Sequence, residues 1–454
     1  MSLTEGDVPG VSKVPNENES SAITPRVTRY ALAMLTVAYA FNFIDRQILV
    51  IIQESIKQEM GLSDAQLGLL SGFSFALVYI TAGIPIAYWA DRGNRRNIIS
   101  LAVAVWSGMT AVSGFAQNYL QLLMARIGVG IGEAGGSPPA HAMISDYYAP
   151  SERGTAMGIY SAGLHGGIFV GFLLGGFINE WLGWRIAFMV VGVPGILFAL
   201  VFRFTVAEPP RGRWESAAAA GYRPTLVETL GLLKRYRSFW YIAAATGFTA
   251  FGGYGNGNFA PSFFMRSHGL TGSEVGVLMA FAGGGSGLAG TLLGGILADR
   301  LGKRDPRWYA WLPALAGFIA LPLLFPYLLV NDLRIVIVLL FVVNMMINTY
   351  LGPCLAISHT LVPPAMRALT SAVLFFVLNL IGLGMGPLTA GLLSDYFTAI
   401  YGDDGLRYAM IVVGMISSLG ILFFVLAARR LPIDLAVRDD NYDNYDNDHN
   451  GGTA

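Results

Sequence analysis

The chain has 454 residues, 54% of them hydrophobic and only 13% charged, with a formal net charge of zero and a mean hydropathy of +0.54. Soluble domains carry about 25% charged residues, so the composition excludes an ordinary soluble domain, and the charge balance speaks against a nucleic-acid partner. The single cysteine, Cys354, excludes an intrachain disulfide.

Residues 1–27 are polar and carry Glu5, Asp7, Glu17 and Glu19, unlike the basic start of a secretory signal. The first apolar run is therefore expected to be a retained span. Twelve such runs follow in order: 28–52, 66–90, 97–116, 120–147, 153–180, 185–206, 238–264, 273–298, 308–330, 333–361, 368–395 and 406–429. About 20 apolar residues cross a hydrocarbon core as a helix, and a helix satisfies its own backbone there. The predicted fold is an all-α integral membrane protein with twelve transmembrane helices. The polar stretch 207–237, with Pro209 and Pro210, divides the spans into a six-helix bundle over 28–206 and a second over 238–430. Residues 431–454 are acidic and low in complexity, and are expected to be a disordered tail.

Short-loop basic residues set the orientation. Arg92, Arg95 and Arg96 follow the second run, Arg153 the fourth, Arg300, Lys303, Arg304 and Arg307 the eighth, and Arg367 the tenth; all fall on one side. Glu54, Glu59, Asp64, Glu180, Asp395, Asp403 and Asp404 fall on the other. This predicts a cell-membrane protein with both termini and the 207–237 linker in the cytoplasm.

The halves repeat. Asp91, Arg92, Arg95 and Arg96 in YWADRGNRR recur as Asp299, Arg300, Lys303 and Arg304 in GILADRLGKR, with Asp91 and Asp299 208 residues apart. Pro150-Ser-Glu-Arg153 recurs as Pro364-Ala-Met-Arg367. A repeat of six spans is the pattern of secondary transporters, whose sites lie between the halves near the bilayer midplane.

These tandem loops resemble the signature of the major facilitator superfamily, over about 28–430. The second copy is complete, whereas the first has Ala87 and Asn94 where the signature has glycine. Arg126-x-x-x-Gly130-x-Gly132-x-Ala134 resembles the motif of the superfamily's fourth span. FNFIDR (Phe41–Arg46) and RIGVGIGEAG (Arg126–Gly135) together resemble the Spinster family, which moves sphingolipids and lysolipids, sphingosine-1-phosphate being the best known. The resemblance implies a fold of two six-helix bundles, a monomer surrounded by membrane lipid, and an amphiphilic substrate.

Gly130-x-Gly132-x-x-Gly135 also has the spacing of a dinucleotide loop, but such a loop needs a preceding strand, and YLQLLMARIGVG is one continuous apolar helix. Its glycines, like Gly163, Gly167, Gly171 and Gly175 in the fifth run, fit close helix packing. The charges do not. Arg126 and Glu133 share a helix face two turns apart, and a charge at mid-membrane costs about 2.5–3.5 kcal/mol on insertion scales. One reading is a structural Arg–Glu pair; the other is a transport pathway. Asn42, Asp45 and Arg46 interrupt the first run in the same way. Low dielectric favours a neutral carboxyl and a nearby arginine opposes it, so Asp45 and Glu133 are the candidate proton carriers. Asn42, Arg46, Arg126 and His165 are the candidate substrate contacts, although a lone histidine is more often a packing residue. Asn344, Asn348, His359 and Asn379 are candidates for the second half of a cavity. By the family resemblance, the paired loops latch the cytoplasmic side in the outward-open state. Asp91, Arg92, Arg95, Asp146, Arg153, Asp299, Arg300 and Lys303 are the expected gate.

No nucleotide-binding loop, metal-spaced cluster, cofactor motif or nucleophile with its base is evident, so an ATP-driven pump and an enzyme are both disfavoured. The expected function is proton-coupled secondary transport of a lysolipid or sphingoid phosphate. A carrier of drugs or small organic anions is the alternative, and a membrane-embedded enzyme or receptor the more distant one.

Overall fold

The computed structural model describes residues 24–214 and 224–450, with residues 84, 87, 91 and 440–450 described by their backbone alone. Every regular element among them is helical. The first bundle is built from Pro25–Met60, 64–92, Arg95–Ser113, Tyr119–Glu133 continued by Ser137–Tyr147, Arg153–Leu182 and Trp184–Thr205. The second is built from Arg237–His268, Gly272–Gly302, Trp308–Leu329, Leu333–Ile347 continued by Leu351–Thr360, 364–401, and Gly405–Ser417 continued by Leu419–Asn450. These are spans one to twelve. Eight stretches are long and apolar enough to cross a membrane, and one of them, Pro364–Asp439, holds both spans eleven and twelve.

The repeat extends to the helix ends. Span one stops at Gly61 (φ 65°) and span seven at Gly269 (φ 66°), both left-handed caps where a side chain would be strained. Spans two and eight open with capping boxes, Ser63 with Gln66 and Thr271 with Glu274. Spans two, eight and eleven each contain a widened π turn, at Leu69–Phe73, Met279–Gly285 and Leu378–Met385. The glycine ladder of span five lies against span one: a Cβ at Gly163, Gly167 or Gly175 would run into Thr36, Ala40 or Ile51. This is the close approach that small residues permit.

Three expectations need correction. Span four is not continuous; it breaks at Ala134–Gly136 and restarts at Ser137, with Pro138 and Pro139 in the first turn. Proline lacks the N–H that a continued helix would need and is tolerated in a first turn. The stretch 207–237 is more than a linker, because Leu226–Leu233 forms a helix whose Leu233 is buried against the second bundle. The acidic tail does not begin at 431. Leu431 and Asp434 are buried within the last helix, and Asp434 accepts a hydrogen bond from Ser238 N at 2.7 Å. Leu431 and Leu435 give 431–439 an apolar side that the run of acids after it obscures in the sequence. Residues 1–23, 215–223 and 451–454, within the expected N-terminal tail, linker and C-terminal tail, lie outside the described residues.

The two ends of the molecule differ. At the end carrying Glu59, Asp64, Glu180 and Asp395, one apolar cluster contains residues of both bundles, from Ile48 to Val413. At the basic-loop end, two clusters lie apart, one almost wholly in the first bundle and one in the second.

Candidate functional site

Spans one and four bring four charges into the first bundle. Asp45, Arg126 and Glu133 are 0%, 2% and 1% exposed, and Asn42 beside them is also buried. Arg46 Nε and Nη2 donate to Glu133 Oε2 at 2.7 and 2.6 Å. Its guanidinium also lies over the rings of Phe43, Phe75 and Tyr79, at 5.2, 4.8 and 5.6 Å. A planar, weakly hydrated guanidinium suits both kinds of contact. Tyr254 of the second bundle packs against the apolar cluster that contains Phe75.

The structural pair considered between Arg126 and Glu133 does not form: Glu133 bonds Arg46 instead. Seven residues advance about 10 Å along a helix, whereas Arg46 enters from the neighbouring span. Both carboxylate oxygens of Asp45, Nε and Nη1 of Arg126 and Oε1 of Glu133 are buried without a hydrogen-bond partner among the described residues. Unpaired buried charge is costly. A proton on an acid, or an anion against Arg126, relieves that cost, so the arrangement can exchange partners.

The other candidates are dispersed. His165 is half-buried on span five, and no hydrogen bond or ion pair joins it to the four charges among the described residues. Asn344 braces the π turn of span eight, donating to Gly283 O at 2.7 Å and Ser286 Oγ at 2.8 Å, and Asn348 donates back to Asn344. His359 bonds Ser371 at 2.6 Å. Asn379 lies in the π turn of span eleven. Within the second bundle, a largely apolar cavity of about 60 Å3 is lined by Asn256, Leu324, Met346, Thr349, Ser417 and Phe424, among others. Asn256 is two residues along span seven from Tyr254.

The expected gate residues are held inside their own bundles. Arg95 Nη1 bonds Asp146 at 2.6 Å and its Nε bonds Glu208 at 3.1 Å. Glu208 also accepts the backbone N–H groups of Arg95 and Arg96, and Asp146 accepts that of Gly212. The start of the linker is thus strapped to the first bundle. Arg153 donates to Ser145 O and Tyr148 O, and Arg92 lies over Tyr88. Asp299 accepts from Tyr309 at 3.2 Å. The side chains of Arg300 and Lys303 make no hydrogen bond or ion pair among the described residues, and the Asp91 side chain lies outside them.

Sequence reasoning passed over Arg266. It donates to Glu54 Oε2 at 3.0 and 2.7 Å and to both oxygens of Asp64 at 2.7 and 2.8 Å. Lys57 and Ser394 also bond Asp64, at 2.7 and 2.6 Å. Gln53 reaches Asn258 O at 2.6 Å. Every hydrogen bond and ion pair found between the bundles, among the described residues, lies at this acidic end. Its charges stand at the edges of apolar runs, where they look like ordinary flanking residues.

The family model of the Major Facilitator Superfamily matches residues 35–383 and again 250–439. An MFS-type efflux pump of Mycolicibacterium smegmatis is 34% identical over 90% of this chain and 95% of its own length. A probable L-galactonate transporter of Escherichia coli is 34% identical over 38% of each chain. Among solved structures, a bacterial homologue of the human lysosomal transporter Spinster superposes in its inward-facing, unoccupied form with a TM-score of 0.83. It is 34% identical and covers 90% of this chain and 99% of its own. Its inward-facing, occupied form gives a TM-score of 0.79.

Proposed function

This chain belongs to the Major Facilitator Superfamily, and from that premise we propose that it is a proton-coupled carrier of a lysolipid or sphingoid phosphate, working by alternating access. The basic-loop end faces the cytoplasm of a cell-membrane protein that acts as a monomer; the two separate apolar clusters at that end, and the likeness to inward-facing structures, support an inward-open state. The observation that carries the coupling is the buried quartet of Asp45, Arg46, Arg126 and Glu133, in which the Asp45 carboxylate and the Nε and Nη1 of Arg126 have no hydrogen-bond partner among the described residues. Protonation of Glu133 frees Arg46 for an anionic headgroup, protonation of Asp45 removes a negative charge that would repel it, and arrival of the headgroup favours either protonation; such coupling is reciprocal. The apolar cavity beside Asn256 supplies room for part of a chain. A small organic anion is the second reading, favoured by Arg126, whose Nε and Nη1 lack a hydrogen-bond partner among the described residues, and by the likeness to a probable L-galactonate transporter.

The test uses purified protein in liposomes with an imposed proton gradient, and a panel of lysolipids, sphingoid phosphates, amphiphilic drugs and sugar acids. Accumulation of a lysolipid or sphingoid phosphate is expected. Glu133→Gln is expected to abolish gradient-driven accumulation while retaining substrate exchange. A well-folded Glu133→Gln protein with normal driven uptake moves the proton to Asp45; normal driven uptake in Asp45→Asn as well removes the coupling. Orientation is checked with a cysteine at Ser151 in a Cys354→Ser background, which an impermeant maleimide should label only from the cytoplasm.

A further inference from the structure

Spans two and eight begin at the acidic end, and each exposes the unsatisfied N–H groups of a first helical turn. The bundle opposite supplies the acceptor in both cases. Asp395, near the end of span eleven, accepts Asp64 N and Ala65 N, both at 2.8 Å. Glu180, near the end of span five, accepts Ser273 N at 2.7 Å. Ala65 and Ser273 are 208 residues apart, at equivalent places in the repeat. So each bundle caps a helix of the other.

We propose that these reciprocal caps, with Arg266, form the latch that holds the acidic end shut. The inference rests on the alternating-access reading and goes beyond it by assigning the residues. Three observations support a latch rather than ordinary packing. The acceptors are charged and sit at helix N-termini, where negative charge is favoured. Glycines allow the backbones to touch at both seams: a Cβ at Gly391 would collide with Asp64 O, and one at Gly176 with Gly272 O. Lastly, Arg266 ties span seven to spans one and two through Glu54 and Asp64, while Ser394, beside Asp395, bonds the same Asp64. Opening this end separates the bundles and breaks both caps and the Arg266 pairs together. That makes the closed state all-or-none rather than graded.

The test is pulsed electron spin resonance on the full chain in lipid, with Cys354→Ser as background. Spin labels at Gln117 and Asp403 report the acidic end, and labels at Ser151 and Arg304 report the basic end. Glu180 is exposed, so Glu180→Ala removes a cap with little risk to folding. Each lost cap is expected to raise the long-distance population at the acidic end about fivefold, and to shorten the basic-end distance in the same fraction of molecules. Glu180→Gln, which keeps an acceptor without the charge, should fall between parent and Glu180→Ala. Asp332→Ala removes a cap within one bundle, on Arg334 N, and should lower melting temperature without moving either distance. Unchanged acidic-end distances in Glu180→Ala and in Glu180→Ala/Asp395→Ala, in a parent whose distances respond to a lysolipid or to pH, overturn the latch while sparing alternating access. A parent with one fixed distance at each end under every condition overturns both.

Discussion

The two bundles share a scaffold and differ in what they bury. Aligned through the repeat, Asp45 and Arg46 of span one correspond to Gly253 and Tyr254 of span seven, 208 residues on. Arg126 and Glu133 of span four correspond to Leu340 and Ile347 of span ten, 214 residues on, and both spans break at the same point. Where the first bundle holds two acids and two arginines, the second holds aliphatic side chains, a tyrosine and an apolar cavity. Duplication supplied matching walls, and divergence placed charge chemistry in one and apolar space in the other. On the proposed reading, an amphiphile meets the polar wall with its headgroup and the apolar wall with its chain.

The comparison can be broken most forcefully at Arg46. Arg46→Ala leaves Glu133 buried with its cation gone, a change that typically costs about 3–5 kcal/mol. A large fall in melting temperature is expected, and Arg46→Ala/Glu133→Gln should recover most of it. Equal melting of the parent and Arg46→Ala would show that the pair contributes nothing. Ile347→Glu tests the other wall by placing an acid at the counterpart of Glu133. It should cost about 2.5–3.5 kcal/mol, read as lost thermal stability; a neutral result would mean that the second bundle accepts charge as readily as the first. Asn256→Leu sharpens the division of labour. Partly filling the cavity should weaken binding of a long-chain lysolipid about tenfold, or about 1.4 kcal/mol, and leave a short organic anion unaffected, as measured by titration calorimetry. The smallest effect is expected at Asp434, which caps span seven through Ser238 N. Asp434→Ala should cost about 0.5–2 kcal/mol in melting experiments and leave transport intact.

The twelve spans and the duplication are legible in the sequence because apolar length and loop spacing are one-dimensional signals. Asp45, Arg46, Arg126 and Glu133 are legible for a related reason: a charge inside an apolar run is conspicuous. Which arginine bonds Glu133 is not, because that depends on how span one lies across span four. Arg266, Glu180 and Asp395 stay hidden since acids and arginines at span ends are what topology alone would place there; only the facing bundle shows that they bond across. The break after Glu133 is written in Pro138 and Pro139, yet the apolar run on either side masks it. The packed helix over 431–439 is masked by the acids beyond it.

The π turns of spans two, eight and eleven have a mechanical consequence. A π turn accommodates one extra residue and loosens the regular ladder of backbone bonds, and such sites commonly mark bends. Spans two and eleven meet along one seam between the bundles, and span eight meets span five along the other. Span five, the repeat partner of span eleven, is a single unbroken helix pressed by its glycines onto span one. The molecule thus has three compliant staves and one stiff one. When the bundles rock, spans two, eight and eleven can flex at these turns while spans one and five turn as a rigid spar, so one side of the central passage deforms around a fixed edge.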